Sequence, residues 1–100
     1  MEIKLRWIWD DAKNKANKLK HGLSFETAQL VFNDPLAASR RDLYRDEERW
    51  QTIGNISQVT IFVVHTWSVY APESDEEIGR IISARKATTY ERRAYEQNDF

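Results

Sequence analysis

The sequence predicts an α+β fold in which two N-terminal helices and one C-terminal helix pack on a four-stranded, mostly antiparallel sheet. Helical patterns lie at the two ends of the chain, whereas strand patterns follow one another between residues 36 and 84. Strands in succession, with helices segregated from them, are typical of α+β folds. The 100 residues are expected to form one domain, 1–100, because this length suits a single hydrophobic core.

The first predicted helix covers Asp10–Lys20. Asp10 or Asp11 can accept a hydrogen bond from a free backbone N–H at its start, and Gly22 can adopt the left-handed conformation that ends a helix. Residues at spacings of four and three predict its apolar face: Ala12, Ala16 and Leu19.

Two further helices are predicted from their capping residues. Ser24 can cap the second helix, which Asn33-Asp34-Pro35 ends because proline lacks a backbone N–H. The final helix begins at Thr88, which forms a capping box with Glu91: each side chain accepts a hydrogen bond from the other residue's backbone N–H. The apolar stripe of the second helix consists of Phe25, Ala28, Val31 and Phe32.

Four segments between the helices have strand patterns. The strongest is Val59–Trp67, where β-branched and aromatic residues predict a central strand covered on both faces. The last is Ile78–Ala84, with Gly79 at a bend or bulge. The other two are the weak strand Leu36–Arg40 and the alternating segment Arg49–Ile53.

Turns and loops are predicted to separate these strands. Asp42–Glu47 is a charged turn, and Gly54-Asn55 is a turn signal after the second strand. The acidic segment Ala71–Glu77, which contains a proline, is expected to be a solvent loop.

Composition excludes several classes of protein. The chain has no cysteine, so neither a disulfide framework nor a cysteine-based zinc site can form. No apolar run approaches the roughly 20 residues that span a bilayer, and no membrane association is expected. The N-terminal residues lack the apolar region of a signal peptide, so a cytoplasmic location is expected.

The charge is unevenly distributed, although the net charge is only −1. Residues 1–21 carry six basic and three acidic residues, and residues 80–93 carry five basic and one acidic residue. If the fold places these segments side by side, they would form a positive patch on a nearly neutral protein. The alternative is that both segments are ordinary solvated helix faces.

Two histidines and two arginines are candidates for chemistry. His65 ends the strongest strand, on the face of Ile61 and Val63, and is either a general acid or base or a partly buried, hydrogen-bonded histidine. His21 ends the first helix, where an imidazolium would favour the helix dipole. Arg80 and Arg85 flank the last strand, where an arginine fork suits a phosphate.

The pleat leaves the relative direction of these arginines open. Alternation places Arg80 and Arg85 on opposite faces, unless Gly79 or the strand end changes the pleat. No metal or other cofactor is expected, because the acidic residues lack a convincing ligand spacing and Glu47-Glu48 has the pattern of a surface turn. If the protein is a nuclease, the expected chemistry is therefore attack of a ribose 2′-OH on the adjacent phosphate, which requires RNA.

Over nearly its whole length the chain resembles the BrnT family of toxins. The blocks Lys20–Phe25 and Ile81–Thr88 carry the resemblance most strongly. The other matching segments are Trp9-Asp10, Lys13, Asn17, Val31-Phe32, Asp34-Pro35, Glu48-Arg49, Ile53-Gly54, Val63–Thr66 and Glu91-Arg92. The segment Tyr70–Glu77 is longer and more acidic than the family pattern.

The resemblance implies a RelE-like fold and a cytotoxic ribonuclease of a type II toxin–antitoxin module. It also implies a BrnA-like ribbon-helix-helix antitoxin, joined with the toxin in a 2:2 heterotetramer that binds operator DNA and represses its own operon. The alternative function is a non-catalytic module that binds the antitoxin and assists operator binding. Neither function requires a cofactor.

The site residues expected under this resemblance fall into two groups. Arg80 and Arg85 are expected to stabilise the phosphate and the transition state, and His65 is the expected acid or base. The expected RNA contacts are Lys13, His21, Arg49, Lys86 and Tyr95.

Overall fold

The computed structural model describes residues 4–67, 69–71, 73 and 75–100. Its strands are β1 Lys4–Ile8, β2 Ala38–Arg41, β3 Trp50–Ile56, β4 Val59–His65, β5 Val69–Ala71 and β6 Glu76–Lys86. Its helices are α1 Asp11–His21, α2 Phe25–Ala28 and α3 Thr89–Glu96, with a 3₁₀ helix at Gln29–Asn33. The α+β class predicted from the sequence is confirmed.

The sheet has more strands than predicted, and it is mixed. Its order is β1-β6-β4-β3-β2, and β5 pairs with the first part of β6 beside β4. The β1–β6 pair is parallel and the other pairs are antiparallel. The prediction of four strands was therefore wrong, because β1 precedes the first predicted helix and β5 lies next to the segment expected to be a loop.

Several predicted boundaries also change. β6 begins at Glu76 rather than Ile78, so the acidic loop predicted for residues 71–77 is shorter, although residues 72 and 74 lie outside the described residues. β3 continues through Gly54-Asn55, which is not a turn. The chain instead reverses at Ser57 and Gln58, both with positive φ (47° and 71°), as in a two-residue hairpin turn.

Gly54 is needed where the 3₁₀ helix approaches β3. A Cβ at this position would lie 3.1 Å from the Val31 carbonyl oxygen and 3.2 Å from an Asp34 carboxylate oxygen. The glycine therefore permits a close backbone approach inside the strand instead of forming the turn that the sequence suggested.

The caps of α1 are as predicted, but its buried face is not. Asp10 accepts a hydrogen bond from the Lys13 N–H at 2.9 Å, and Gly22 ends the helix with φ 69°. The predicted apolar face is exposed, and 89% of Leu19 is accessible to solvent. The residue that α1 buries is Asn17.

Asn17 attaches α1 to the edge of β6. Its side-chain N–H groups donate to the carbonyl oxygens of Ala84 (2.8 Å) and Leu23 (2.9 Å), and its side-chain oxygen accepts from the Ala84 N–H at 3.2 Å. These contacts replace those of a neighbouring strand beyond the end of β1, since a buried backbone group requires a partner. Side-chain amide chemistry, rather than apolar periodicity, therefore determines how α1 docks.

The main core lies between the sheet and the N-terminal helices, on what we call the core face. It contains buried apolar side chains from α2, the 3₁₀ helix, β4 and β6, namely Phe25, Ala28, Val31, Ile61, Val63, Ile81 and Ala84. The second predicted helix therefore buries its stripe as expected, although it shortens to one α-helical turn followed by the 3₁₀ helix.

The opposite face of the sheet is partly covered by the C-terminal segment. Ile53 is fully buried there and Phe62 is 6% exposed, with the Phe62 and Phe100 rings 6.2 Å apart between centroids. The prediction that the strongest strand is covered on both faces is confirmed. No helix in the described part of the chain is long and apolar enough to cross a membrane.

A β-bulge in β6 determines the directions of its arginines. Val64 pairs with Ser83 but His65 pairs with Ile81, so Ile82 is the extra residue. Ile81 and Ala84 both point into the core. Their neighbours Arg80 and Arg85 therefore share the opposite face, which decides the question that alternation had left open.

Candidate functional site

The face of the sheet opposite the core carries four arginines, and we call it the arginine face. They come from two strands and from the loop before β3: Arg40 from β2, Arg80 and Arg85 from β6, and Arg49 from the loop. Each has a polar or acidic partner on the same face.

Glu47 connects two of these arginines. Its Oε1 accepts hydrogen bonds from Arg80 (2.8 Å) and from the Arg49 Nε–H (2.9 Å), and its Oε2 lies 3.0 Å from the same Arg80 nitrogen. These bonds, that from Arg49 foremost and that from Arg80 next, hold the pKa of the Glu47 carboxyl below its ordinary value. The carboxylate is therefore ionised at neutral pH.

Aromatic and strand contacts hold the arginines on either side of Glu47. The Arg49 guanidinium carbon lies 3.8 Å from the centroid of the Tyr44 ring. Arg80 is held through its backbone, since its N–H donates to the Thr66 hydroxyl and its carbonyl accepts from the Thr66 N–H, both at 2.9 Å. The Arg80 side chain is still 43% exposed, so its guanidinium is open to solvent.

A second ion pair lies at the other end of the arginine face. Arg85 donates to both oxygens of Glu91 at 2.7 and 2.9 Å, and its guanidinium carbon lies 4.3 Å from the centroid of the Phe62 ring. The Arg85 pairing, with the capping-box bond from Thr88, lowers the pKa of Glu91 to about 2. Because the capping box is also formed as predicted, Arg85 is tied to the start of α3.

A third polar cluster crosses β2 and β3. The Arg40 Nε–H donates to the side-chain oxygen Oε1 of Gln51 at 2.7 Å, and the Nε2–H of the same side chain donates to Asp42 at 2.6 Å. The Arg40 guanidinium carbon also lies 4.1 Å from the centroid of the Phe100 ring. Arg40 was not among the residues expected from the sequence, because its charged neighbours in a weak strand give no signal of their own.

His65 lies on the core face, apart from these arginines. It is fully buried, its Nδ1 lies 2.8 Å from the Thr66 carbonyl oxygen, and its Nε2 lies 2.6 Å from the Thr52 hydroxyl. A carbonyl can only accept, so Nδ1 carries the proton and Nε2 accepts from the hydroxyl. Burial lowers the pKa of His65 despite the bond to Thr66, and the ring is neutral at pH 7.

This neutral histidine should make stability depend on pH. A folded-state pKa below the ordinary 6.5 gives a contribution that is complete above pH 6.5 and is lost as the pH falls below it. We expect the free energy of unfolding, measured by urea denaturation, to fall between about pH 7.5 and about pH 5. His65→Gln should lose this component, whereas the matched His21→Gln variant should keep it; equal pH dependence in both variants would contradict the assignment.

The remaining expected RNA contacts are dispersed. Lys13 is exposed in the first turn of α1, and His21 lines a cavity of about 200 Å³ that Lys86 also borders. Tyr95 donates to an Asp34 carboxylate oxygen at 2.5 Å, and burial together with this bond raises its pKa to about 12. Of the expected RNA contacts, Arg49 is the one that these hydrogen bonds join to Arg80.

Glu47 is the site residue that the sequence left unassigned. It lies in an irregular loop, where no periodicity indicates the direction of a side chain, and the pattern predicted only a surface turn. In the described part of the chain, no group of three or more histidine, cysteine or acidic residues is arranged to hold a metal ion.

Comparison with known proteins places the chain in a family. Residues 9–91 match the family model of the ribonuclease toxin BrnT of type II toxin–antitoxin systems. No curated protein matches the sequence. The matched range includes β3, β4, β6 and both acidic partners of Arg80 and Arg85. The chain therefore belongs to the BrnT family of ribonuclease toxins, and an antitoxin partner is implied by that membership.

Proposed function

We propose that this protein is an endoribonuclease toxin that cleaves RNA without a metal ion. Its family membership supports the activity, and the arginine face supports the mechanism. The observation that carries the proposal is the placement of Arg49, Arg80 and Arg85 on one face by the bulge and the loop contacts. Guanidinium forks bind phosphate oxygens in two-point geometry and remain charged at every working pH.

The reaction proposed for this face is an internal transfer at phosphorus. A base removes the proton of the ribose 2′-OH, the 2′-oxygen bonds to the adjacent phosphorus, and the bond to the leaving 5′-oxygen breaks. The leaving oxygen takes a proton from water, and the product ends in a 2′,3′-cyclic phosphate. Arg80 and Arg85 stabilise the charge that develops on the phosphate oxygens, as preorganised donors do in transition states of this kind.

RNA would have to replace the carboxylates that now occupy the arginines. Glu47 and Glu91 each bind an arginine through two oxygens, the arrangement that a phosphate would use. In this proposal Lys13, His21, Lys86 and Tyr95 remain candidate RNA contacts. His65 remains a candidate acid or base, and in the observed arrangement it supports the strand end that carries Arg80.

Substitution of the two arginines tests this function. The purified protein should cleave RNA in the presence of EDTA, and Arg80→Ala and Arg85→Ala should each lower the cleavage rate by about 10²–10³-fold, the usual effect of removing a donor to a transition-state oxyanion. The matched control is Arg92→Ala, since Arg92 is exposed on α3 and pairs only loosely with Glu96 at 3.5 Å. Full activity in both variants would remove Arg80 and Arg85 from the mechanism.

A non-catalytic role is the second candidate, and one observation favours it. Arg80 and Arg85 are both paired with carboxylates of the same chain, which occupy the donors that a phosphate would need. If the purified protein cleaves none of several RNAs but binds its antitoxin tightly, the chain is an antitoxin-binding module that assists operator binding. Cleavage that EDTA leaves intact would exclude this alternative.

For the partner, we propose a BrnA-like ribbon-helix-helix antitoxin in a 2:2 heterotetramer that binds operator DNA in the cytoplasm. A two-fold DNA-binding dimer presents two equivalent surfaces, each of which can take one toxin. Family membership supports an antitoxin, and the stoichiometry follows from this symmetry argument.

A further inference from the structure

Glu47 has a position that a purely structural ion pair does not require. It extends from the loop between β2 and β3, and its side chain is 35% exposed between Arg49 and Arg80. Its neighbours in the loop, Asp46 and Glu48, are exposed. Ion pairs open to solvent contribute little to stability, about 0–1 kcal/mol. The carboxylate therefore lies where RNA could reach it, at a small cost in stability if the pairing changes.

The chemistry of a phosphate bound at this place gives Glu47 a task. In RNA the 2′-OH and the 3′-phosphate are attached to adjacent ribose carbons. Arginines that bind this phosphate therefore hold the 2′-OH close to their own guanidinium groups. Glu47 lies at the same place, because its Oε1 is 2.8 Å from a nitrogen of Arg80 and 2.9 Å from a nitrogen of Arg49. A carboxylate that moves aside by a short distance can accept the hydroxyl proton.

We propose that Glu47 is the general base of the reaction, a role that rests on the ribonuclease function proposed above. Its carboxylate takes the proton of the 2′-OH as the 2′-oxygen bonds to phosphorus and the bond to the 5′-oxygen breaks. The leaving oxygen receives a proton from water, and Glu47 later releases its proton to solvent. Arg49 and Arg80 remain on the phosphate throughout.

The protonation state of Glu47 is consistent with this role. The arginines lower the pKa of the carboxyl, so that it is ionised and able to accept a proton at neutral pH. Because the bonds from Arg49 and Arg80 stabilise the ionised carboxylate, we expect the cleavage rate to fall only when the pH drops below the ordinary pKa of glutamate.

A competing role is that of a clamp. In that role Glu47 only occupies the phosphate position and must leave before RNA binds, so that removing its charge would free both arginines. The two roles predict opposite changes in the cleavage rate of Glu47→Gln, although both predict RNA binding that is equal or tighter. The cleavage rate and the binding affinity must therefore be measured separately.

The test compares Glu47→Gln with Glu48→Gln, its exposed neighbour in the same loop. Binding is measured with an RNA oligonucleotide whose 2′-OH groups are replaced by hydrogen, and cleavage by single-turnover kinetics on the unmodified RNA. We expect Glu47→Gln to bind as tightly as the wild type or more tightly and to cleave about 10²–10⁴-fold more slowly, as loss of a general base does. The acidic limb of the pH–rate profile should also disappear, whereas Glu48→Gln should match the wild type.

Thermal unfolding and a second variant distinguish the loss of the general base from a folding defect. Glu47→Asp retains a carboxylate one methylene shorter and should recover part of the rate at an unchanged melting temperature. If Glu47→Gln cleaves as fast as the wild type, or faster, Glu47 is not the general base and only occupies the phosphate position. The ribonuclease function would be unaffected by that result. A wild-type protein that cleaves no RNA overturns the ribonuclease function and this proposal with it.

Discussion

Gly79→Ala should destabilise the protein by about 3 kcal/mol, the upper part of the range for overpacking a filled core. A Cβ at this position would lie 2.3 Å from the nearest carbon of the Trp7 ring, and two further ring carbons lie within 2.8 Å. The ring cannot retreat easily, because it stacks on Phe32 at 3.9 Å and meets the His65 ring edge-on at 5.1 Å. Urea denaturation of the purified variant measures the loss.

A double-mutant cycle shows whether the Trp7 ring is the cause. Trp7→Ala alone should lower the free energy of unfolding by about 3–5 kcal/mol. Gly79→Ala should then lower it much less in the Trp7→Ala background than in the wild type, because the ring that clashes with the new Cβ is absent. Gly22→Ala is the matched glycine control. Its Cβ would meet nothing within 4 Å, so only the strain of a positive φ remains, worth about 1 kcal/mol. Additive costs for Gly79 and Trp7 would contradict the steric explanation.

Asn17→Leu should cost about 4 kcal/mol, although leucine has a similar size and a better helix propensity. The substitution leaves the Ala84 N–H and the carbonyl oxygens of Ala84 and Leu23 without their present partner. Each buried polar group left unpaired costs about 1–3 kcal/mol. Guanidinium denaturation with circular dichroism measures the change.

The control for Asn17 lies two residues along the same helix. Leu19→Ala should change the free energy of unfolding by less than about 0.5 kcal/mol, because Leu19 is 89% exposed. A larger loss for Leu19→Ala than for Asn17→Leu would show that α1 docks through the face predicted from its apolar periodicity. The opposite order supports docking through the amide of Asn17.

Local chemistry made much of this fold predictable. The caps at Asp10, Ser24 and Thr88 lie where the sequence indicated, because a capping side chain acts on backbone groups three residues away. The apolar stripe from Phe25 onward is buried for an equally local reason. Long-range pairing was not predictable in this way. β1 and β6 are about 70 residues apart in the sequence. The five charged and apolar side chains of β1 do not indicate which strand it pairs with.

The site was predictable as a set of residues but not as an arrangement. Arg80 and Arg85 stood out because charges in an apolar strand require partners. Whether they share a face depends on the single extra residue Ile82, which no alternation rule locates. His65 was correctly placed on the face of Ile61 and Val63. Glu47 escaped prediction because loop geometry determines the direction of its side chain.

The pairing of β1 with β6 has a consequence for the order in which the chain can fold during synthesis. Lys4–Ile8 is synthesised well before its partner Glu76–Arg80, which lies about 70 residues further along the chain. Until then Trp7 lacks the strand against which it packs, and Arg80 and Arg85 have not been added. Such non-local contacts form late and slowly. A nascent chain therefore completes its sheet and its arginine face in the same event, once β6 has been synthesised.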